Sequence, residues 1–227
     1  MKISIVIPVI NEASTIANAI ERAWQCGADE LIVVDGGSSD GTIEIASQGN
    51  CNFLSGLTGR SRQMNLGAQA AQGDVLLFLH ADNWLAPDAC QQIRTVSQSG
   101  DSLWGGFRQR IANPARKYRW LEAGNAWRAS WQRLIYGDQA MFINSQLFRS
   151  VTGFPEQPLM EDYEISRILC RVARPILLPG PVHVSARRWE QNGVVRQTLL
   201  NWTLVAKYRL GYTPEQLQRS YHRHDQT

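Results

Sequence analysis

Apolar and polar positions follow two rhythms in the first half of the chain. The segments ISIVIPV (3–9), ELIVVDG (30–36), CNFLSG (51–56) and DVLLFLHA (74–81) are short, nearly continuous apolar runs rich in branched residues. That is the pattern of strands covered on both faces. Between them the apolar positions recur at helical spacing. Ile16, Ile20, Ala23 and Trp24 lie at i, i+4, i+7 and i+8 behind a candidate cap at Asn11, and Met64, Ala68 and Ala71 form a small-residue stripe suited to close packing on a sheet. Strand alternating with helix predicts right-handed crossovers and an α/β fold with a mostly parallel central sheet flanked by helices. Ligands collect at the carboxyl ends of strands in such sheets. The polar groups there are Pro8 to Glu12, Asp35 to Asp40 and His80 to Asn83.

The second half reads differently. SLWGGFRQRI (102–111) predicts a strand, residues 114–134 a helix with Trp120, Trp127, Trp131 and Leu134 in register, and QAMFIN (139–144) a short strand. Aromatic residues at helical spacing read first as core or interface, with sugar stacking as the alternative. EDYEISRILCRVA (161–173) predicts an amphipathic helix through Ile165, Leu169 and Val172. Prolines break 175–189 into two short strands at most. A last helix aligns Val195, Leu199, Trp202 and Ala206 on one side.

Composition narrows the function classes. With 227 residues, 44% hydrophobic and 19% charged, the chain is neither disordered nor too short for a substantial core. A net charge of +3 is too small to indicate nucleic acid as partner and leaves an anionic small molecule open. Cys26, Cys51, Cys90 and Cys170 are scattered without a paired motif, as expected of a reduced, cytoplasmic protein. No cleavable leader is visible, and no apolar run approaches the roughly 20 residues of a membrane helix. The expectation is a soluble protein. The final helix, with Trp202, Lys207, Tyr208 and Arg209, fits either a solvated basic face or a peripheral contact with an anionic bilayer.

Several strand-end motifs occur in a specific order: IVIPVINE (5–12), LIVVDGGSSDGT (31–42), GRSRQMNLGAQAAQGDVLLFLHAD (59–82) and FRSVTGFPEQPLMEDYEISRIL (148–169). Together they resemble glycosyltransferase family 2, over roughly the first three quarters of the chain. The resemblance implies a single GT-A type domain over 1–227. It would comprise a Rossmann-like nucleotide-sugar-binding half (1–100), an acceptor and catalytic half (101–190), and a C-terminal helix and tail (191–227). It implies transfer of a sugar, with inversion, from a nucleotide diphosphate sugar, typically UDP-linked, to a hydroxyl acceptor, with a small molecule favoured. A homodimer is left open.

The resemblance also assigns residues. It places Asp35 on the base, with a turn aspartate capping the helix near Ser39 as the alternative, and it puts Pro8, Val9, Asn11 and Glu12 near base and ribose. Gly59 and Arg62, with Arg60, come close to the nucleotide, although Met64 stands where many relatives carry an arginine. His80-Ala81-Asp82 takes the place of the family's Asp-x-Asp, with Asp82 matching its second aspartate. A Mn²⁺ or Mg²⁺ there offsets the charge of a departing diphosphate. His80 either joins the metal or hydrogen-bonds nearby, and His183 is a looser candidate ligand. Arg187 and Arg188 read as alternating strand positions, so that one, taken as Arg187, grips phosphate. Glu161-Asp162 matches the family's acidic pair, with Asp162 as general base. A non-catalytic nucleotide-sugar binder of the same fold is the alternative, because His80 departs from the usual carboxylate.

Overall fold

A strand with no polar face needs cover on both sides, and the fold supplies it. The computed structural model describes residues 1–97 and 103–220. In chain order the elements are β1 (Ile3–Val9), α1 (Ile16–Gln25), β2 (Glu30–Asp35), α2 (Thr42–Gln48), β3 (Asn52–Ser55), α3 (Arg60–Ala70), β4 (Val75–Phe78), β5 (Trp84–Leu85) and α4 (Ala89–Val96). They continue with β6 (Trp104–Ile111), α5 (Arg116–Gln132), β7 (Phe142–Asn144), α6 (Ser145–Ser150), α7 (Glu161–Leu169), β8 (Ile176–Val184), α8 (Arg187–Asn192), α9 (Val194–Arg209) and α10 (Pro214–Ser220). The described strands form one sheet in the order β3-β2-β1-β4-β7-β6-β8-β5. β1 runs parallel to β2 and β4, and β2 parallel to β3. β7 is antiparallel to both β4 and β6, β8 is parallel to β6, and β5 is antiparallel to β8. The expected α/β domain with a mostly parallel sheet is therefore observed.

Side chains alternate between two cores. Ile3, Ile5, Ile7, Leu31, Val33 and Leu77 pack with Ile16, Ile20 and Ala23 of α1 and with Ile93 of α4. Val6, Ile32, Val34, Leu76 and Phe78 point the other way, onto Met64 and Ala68 of α3 and Ile165 and Leu169 of α7. α3 lies close to the sheet because Gly67 faces it: a Cβ there would sit 2.4 Å from Val6 Cγ1 and 3.1 Å from Val34 Cγ2.

Several expectations change. The helix expected over 161–173 ends at Leu169, and Val172 is exposed. The strand expected over 102–111 starts at Trp104, and Ser102 lies outside the described residues. β8 runs through Pro179 and Pro181, helped by a register shift opposite Phe107 and Gln109, and the expected second strand is the helix α8 instead. The tryptophan stripe of α5 does not enter the core: Trp120, Trp127 and Trp131 are 80%, 66% and 70% exposed, while Tyr118 and Ala129 are buried. The aligned stripe of α9 also faces outward, and Gln197 and Leu204 are buried in its stead.

The packing of α3 generates a prediction. Gly67→Ala forces the helix off the sheet and lowers unfolding free energy by about 1–3 kcal/mol, the usual penalty of overpacking. Urea denaturation measures it, and an unchanged midpoint would contradict this account of the contact.

Candidate functional site

Two connected cavities open at the carboxyl ends of β1 and β4. The smaller, of about 410 Å³, is lined by Pro8, Val9, Glu12, Gly59, Arg62, Ala81 and Arg187 among others. The larger, of about 720 Å³, lies toward α5, α8 and α9 and is lined by Asp162, Asp138, Tyr136 and Trp202 among others. Arg60, His80, Asp82, Arg187 and Arg188 line both. Strand alternation does not apply to the two adjacent arginines: they open helix α8, and both reach the cleft.

Arg60 holds the junction together. Its Nε donates to Glu161 in a short ion pair, its Nη2 lies 3.7 Å from Asp162 Oδ2, and its Nη1 lies 3.4 Å from His80 Nε2. A guanidinium only donates, so in this contact His80 Nε2 stands in the accepting position. Glu161 is fully buried, and a carboxylate in that setting requires a charged partner. The next residue does different work. Asp162 Oδ2 accepts from Gly137 N–H at 2.8 Å, and its Oδ1 accepts from Tyr163 N–H at 2.7 Å. Glycine at 137 eases this approach, since a Cβ would stand 3.0 Å from His80 Nε2 and 3.3 Å from Asp162 Oδ2. Burial lifts the Asp162 carboxyl above the ordinary carboxylate range; the Arg60 cation opposes that, Glu161 adds to it, and the two N–H donors oppose it.

Other candidates are engaged elsewhere. Asp35 is buried, and its carboxylate accepts from Gly37 N–H at 2.8 Å, from Ser38 N–H at 3.0 Å and from the Ser38 hydroxyl. It stabilises its own turn and lines neither cavity. Asn11, in the left-handed region at φ 53°, accepts from Ser39 N–H at 2.9 Å and so fastens two strand-end loops; α1 begins later, after Thr15. Arg62 pairs with Glu156 at 3.1 Å across the mouth of the smaller cavity. His183 lines neither cavity: its ring stacks on Trp84 at 5.0 Å, and Arg22 lies over the same indole. Burial, with Arg110 and Arg22 adding to it, lowers the His183 pKa.

The donor set suits a substrate-held cation better than a protein cage. Among the described residues no three His, Cys, Asp or Glu side chains gather as a metal site. Mg²⁺ commonly binds one or two carboxylates and completes its shell with phosphate and water. Asp82 fits that mode, because it lines both cavities and no hydrogen bond or ion pair from the described residues engages it.

Residues 4–154 match the family model described as Glycosyl transferase family 2. The chain belongs to this family. A PGL/p-HBAD biosynthesis glycosyltransferase of Mycobacterium bovis is 28% identical over 212 residues, 87% of this chain and 80% of that protein. The solved structure of S. aureus TarS 1-349 in complex with UDP has a TM-score of 0.64 at 16% identity, covering 82% of this chain and 61% of that one. Glucosyl-3-phosphoglycerate synthase from Mycobacterium tuberculosis, in complex with Mn²⁺, UDP and glucosyl-3-phosphoglycerate, has a TM-score of 0.56 at 21% identity, over 81% of this chain and 70% of that one. The longer TarS structure is spanned to 37% of its length. These solved structures share the fold. No helix among the described residues of this family 2 chain is long and apolar enough to cross a membrane.

Sequence reasoning put Arg60 near a nucleotide and missed its contact with both acidic residues, 101 positions away in the case of Glu161. It missed Gln63, whose amide donates to Val9 O at 2.8 Å and Val34 O at 2.9 Å and ties the ends of β1 and β2 together. A polar residue directly ahead of the small-residue stripe of α3 was the available signal.

Two outcomes follow from this electrostatic arrangement. Arg60→Met removes the ion pair to buried Glu161 and lowers stability by about 3 kcal/mol, measured by denaturant titration. Asp162→Asn raises the melting temperature at neutral pH: a carboxyl whose folded pKa is raised binds its proton more tightly when folded, so it destabilises the fold above its ordinary titration range. The gain shrinks as pH falls through the raised pKa toward the unfolded value. A pH series of thermal melts tests the sign.

Proposed function

We propose that this chain is an inverting, metal-assisted glycosyltransferase that moves a sugar from a nucleotide diphosphate sugar, UDP-linked, to a hydroxyl acceptor. The observation that carries the reading is that Asp82 and Asp162 line one cavity, with Arg60 reaching both Asp162 and His80. UDP in the TarS and glucosyl-3-phosphoglycerate synthase complexes supports the choice of donor. In this reading the first half, residues 1–100, supplies most of the donor site, and Arg187 and Arg188 add cations beside the diphosphate. A Mn²⁺ or Mg²⁺ held by Asp82 would neutralise the charge that develops on the departing diphosphate.

Asp162 is the base. The acceptor hydroxyl enters through the larger cavity, its oxygen attacks the anomeric carbon, and its proton passes to Asp162 Oδ2 or Oδ1. A carboxyl lifted above its usual range is a stronger base than an ordinary aspartate, and the Gly137 and Tyr163 N–H groups fix its orientation. Glu161 is a positioning residue that holds Arg60. Arg60 limits the charge that gathers around Asp162, and its Nη1 lies beside His80 Nε2. Asp138 lines the acceptor side, and its buried Oδ1 has no protein partner among the described residues, which suits a substrate hydroxyl.

Asp162→Asn keeps donor-nucleotide affinity and lowers transfer by about 10²–10⁴-fold, while Asp82→Ala removes the Mn²⁺-dependent part of nucleotide binding. In the unsubstituted enzyme, kcat/KM rises with pH through a limb above the ordinary aspartate range. Normal turnover by Asp162→Asn defeats the base assignment. Donor binding without any transfer or Mn²⁺-stimulated donor hydrolysis by the unsubstituted chain favours the non-catalytic binder.

A further inference from the structure

Beside the larger cavity, two helices turn apolar stripes to solvent. On α5, Trp120, Trp127 and Trp131 share one face around Gly124, and the rings of Trp127 and Trp131 stack on each other at 5.5 Å. On α9, Val195, Leu199 and Trp202 share a face and are exposed, with Leu210 exposed just beyond the helix. The two helices belong together. Leu121 and Val194 pack on the same small apolar cluster near their starts, and near their ends Arg209 Nη2 donates to Gln132 Oε1 at 3.3 Å. Exposed apolar side chains scattered singly are ordinary, whereas tryptophans and aliphatics concentrated on neighbouring helices mark a contact surface.

Charge indicates what that surface meets. Over the whole chain, 23 basic residues face 20 acidic ones. The two helices depart from this balance: α9 carries Arg196, Lys207 and Arg209 and no carboxylate, and α5 carries exposed Arg116 and Lys117 at its start. The carboxylate of α5, Glu122, is turned into the fold, where it accepts from Ile111 N–H and pairs with Arg119 and Arg110. Tryptophan and leucine beside arginine and lysine, with acids absent or engaged, is the chemistry of helices that lie in a membrane interface.

We infer that the α5–α9 face docks on the surface of an anionic lipid bilayer. A second copy of the chain fits less well, because a two-fold contact through this face sets the same cations against one another with no carboxylate to pair them. Single-stranded nucleic acid fits less well too: it needs open aromatic faces for stacking, and here two of the tryptophans cover each other amid aliphatic side chains. Trp202, Arg209 and Leu210 also line the larger cavity, whereas Trp120, Trp127, Trp131, Lys117 and Arg196 line neither, so substitutions at these five test the inference apart from the catalytic reading.

Cosedimentation with vesicles of phosphatidylglycerol and phosphatidylcholine, compared with phosphatidylcholine alone, tests it. The full chain is expected to bind the anionic vesicles, to lose affinity as salt is added, and to bind the neutral ones weakly. Joint substitution Trp120→Ser, Trp127→Ser and Trp131→Ser lowers vesicle affinity roughly tenfold or more, with melting temperature and donor-nucleotide binding unchanged. Lys117→Glu and Arg196→Glu each lower it by roughly fivefold or more. Absence of binding to anionic vesicles at low salt, equal binding to neutral vesicles, or full binding by the tryptophan variant overturns the proposal. So does a dimer in sedimentation, or binding to a single-stranded oligonucleotide, that these substitutions abolish while vesicle binding is absent.

Discussion

One half-buried cation decides the geometry of the cleft. Glu161 is fully enclosed, and an enclosed carboxylate is tolerated only when an opposite charge reaches it, so the first turn of α7 must meet the first residue of α3. Arg60 is that residue, and its planar fork also spans to Asp162 and His80. A lysine has a point charge where arginine has several donors in fixed directions, and could not address three groups in this way. The end of β4 and the starts of α3 and α7 thus become one unit, although they are far apart in the chain.

Close packing makes the same unit rigid. Gly67 lets α3 approach the sheet, and Gly137 lets the segment ahead of β7 approach both His80 and Asp162. Gln63 then spends its amide protons on carbonyls at the ends of β1 and β2, so the helix that carries Arg60 is fastened to the strand ends that wall the smaller cavity. The helix stripe, the glycine contacts and the guanidinium point to a single placement of α3, the agreement between levels expected of a well-determined site.

What could be read from the sequence follows from how local each signal is. Continuous apolar runs ending in polar residues located Pro8, Glu12, His80 and Asp82 correctly at strand ends, because a strand covered on both faces leaves no other place for those groups. The α5 and α9 stripes were legible as stripes, but periodicity reports that a helix has an apolar face and not what the face meets. The partners of His183 were hidden because Trp84 sits in a strand of two residues, shorter than any alternation can reveal. Arg187 and Arg188 were misread because prolines suggested broken strand where the chain instead completes β8 and starts a helix.

The margins of the sheet have a consequence for assembly. At one border stands β3, four residues with a polar side chain at each end, and at the other β5, two residues roofed by Arg22 over Trp84. Neither border offers enough unpaired backbone to recruit a foreign strand. Strand addition is therefore disfavoured at both borders of the described sheet, which leaves the helices and the clefts between them as the broader surfaces for contact.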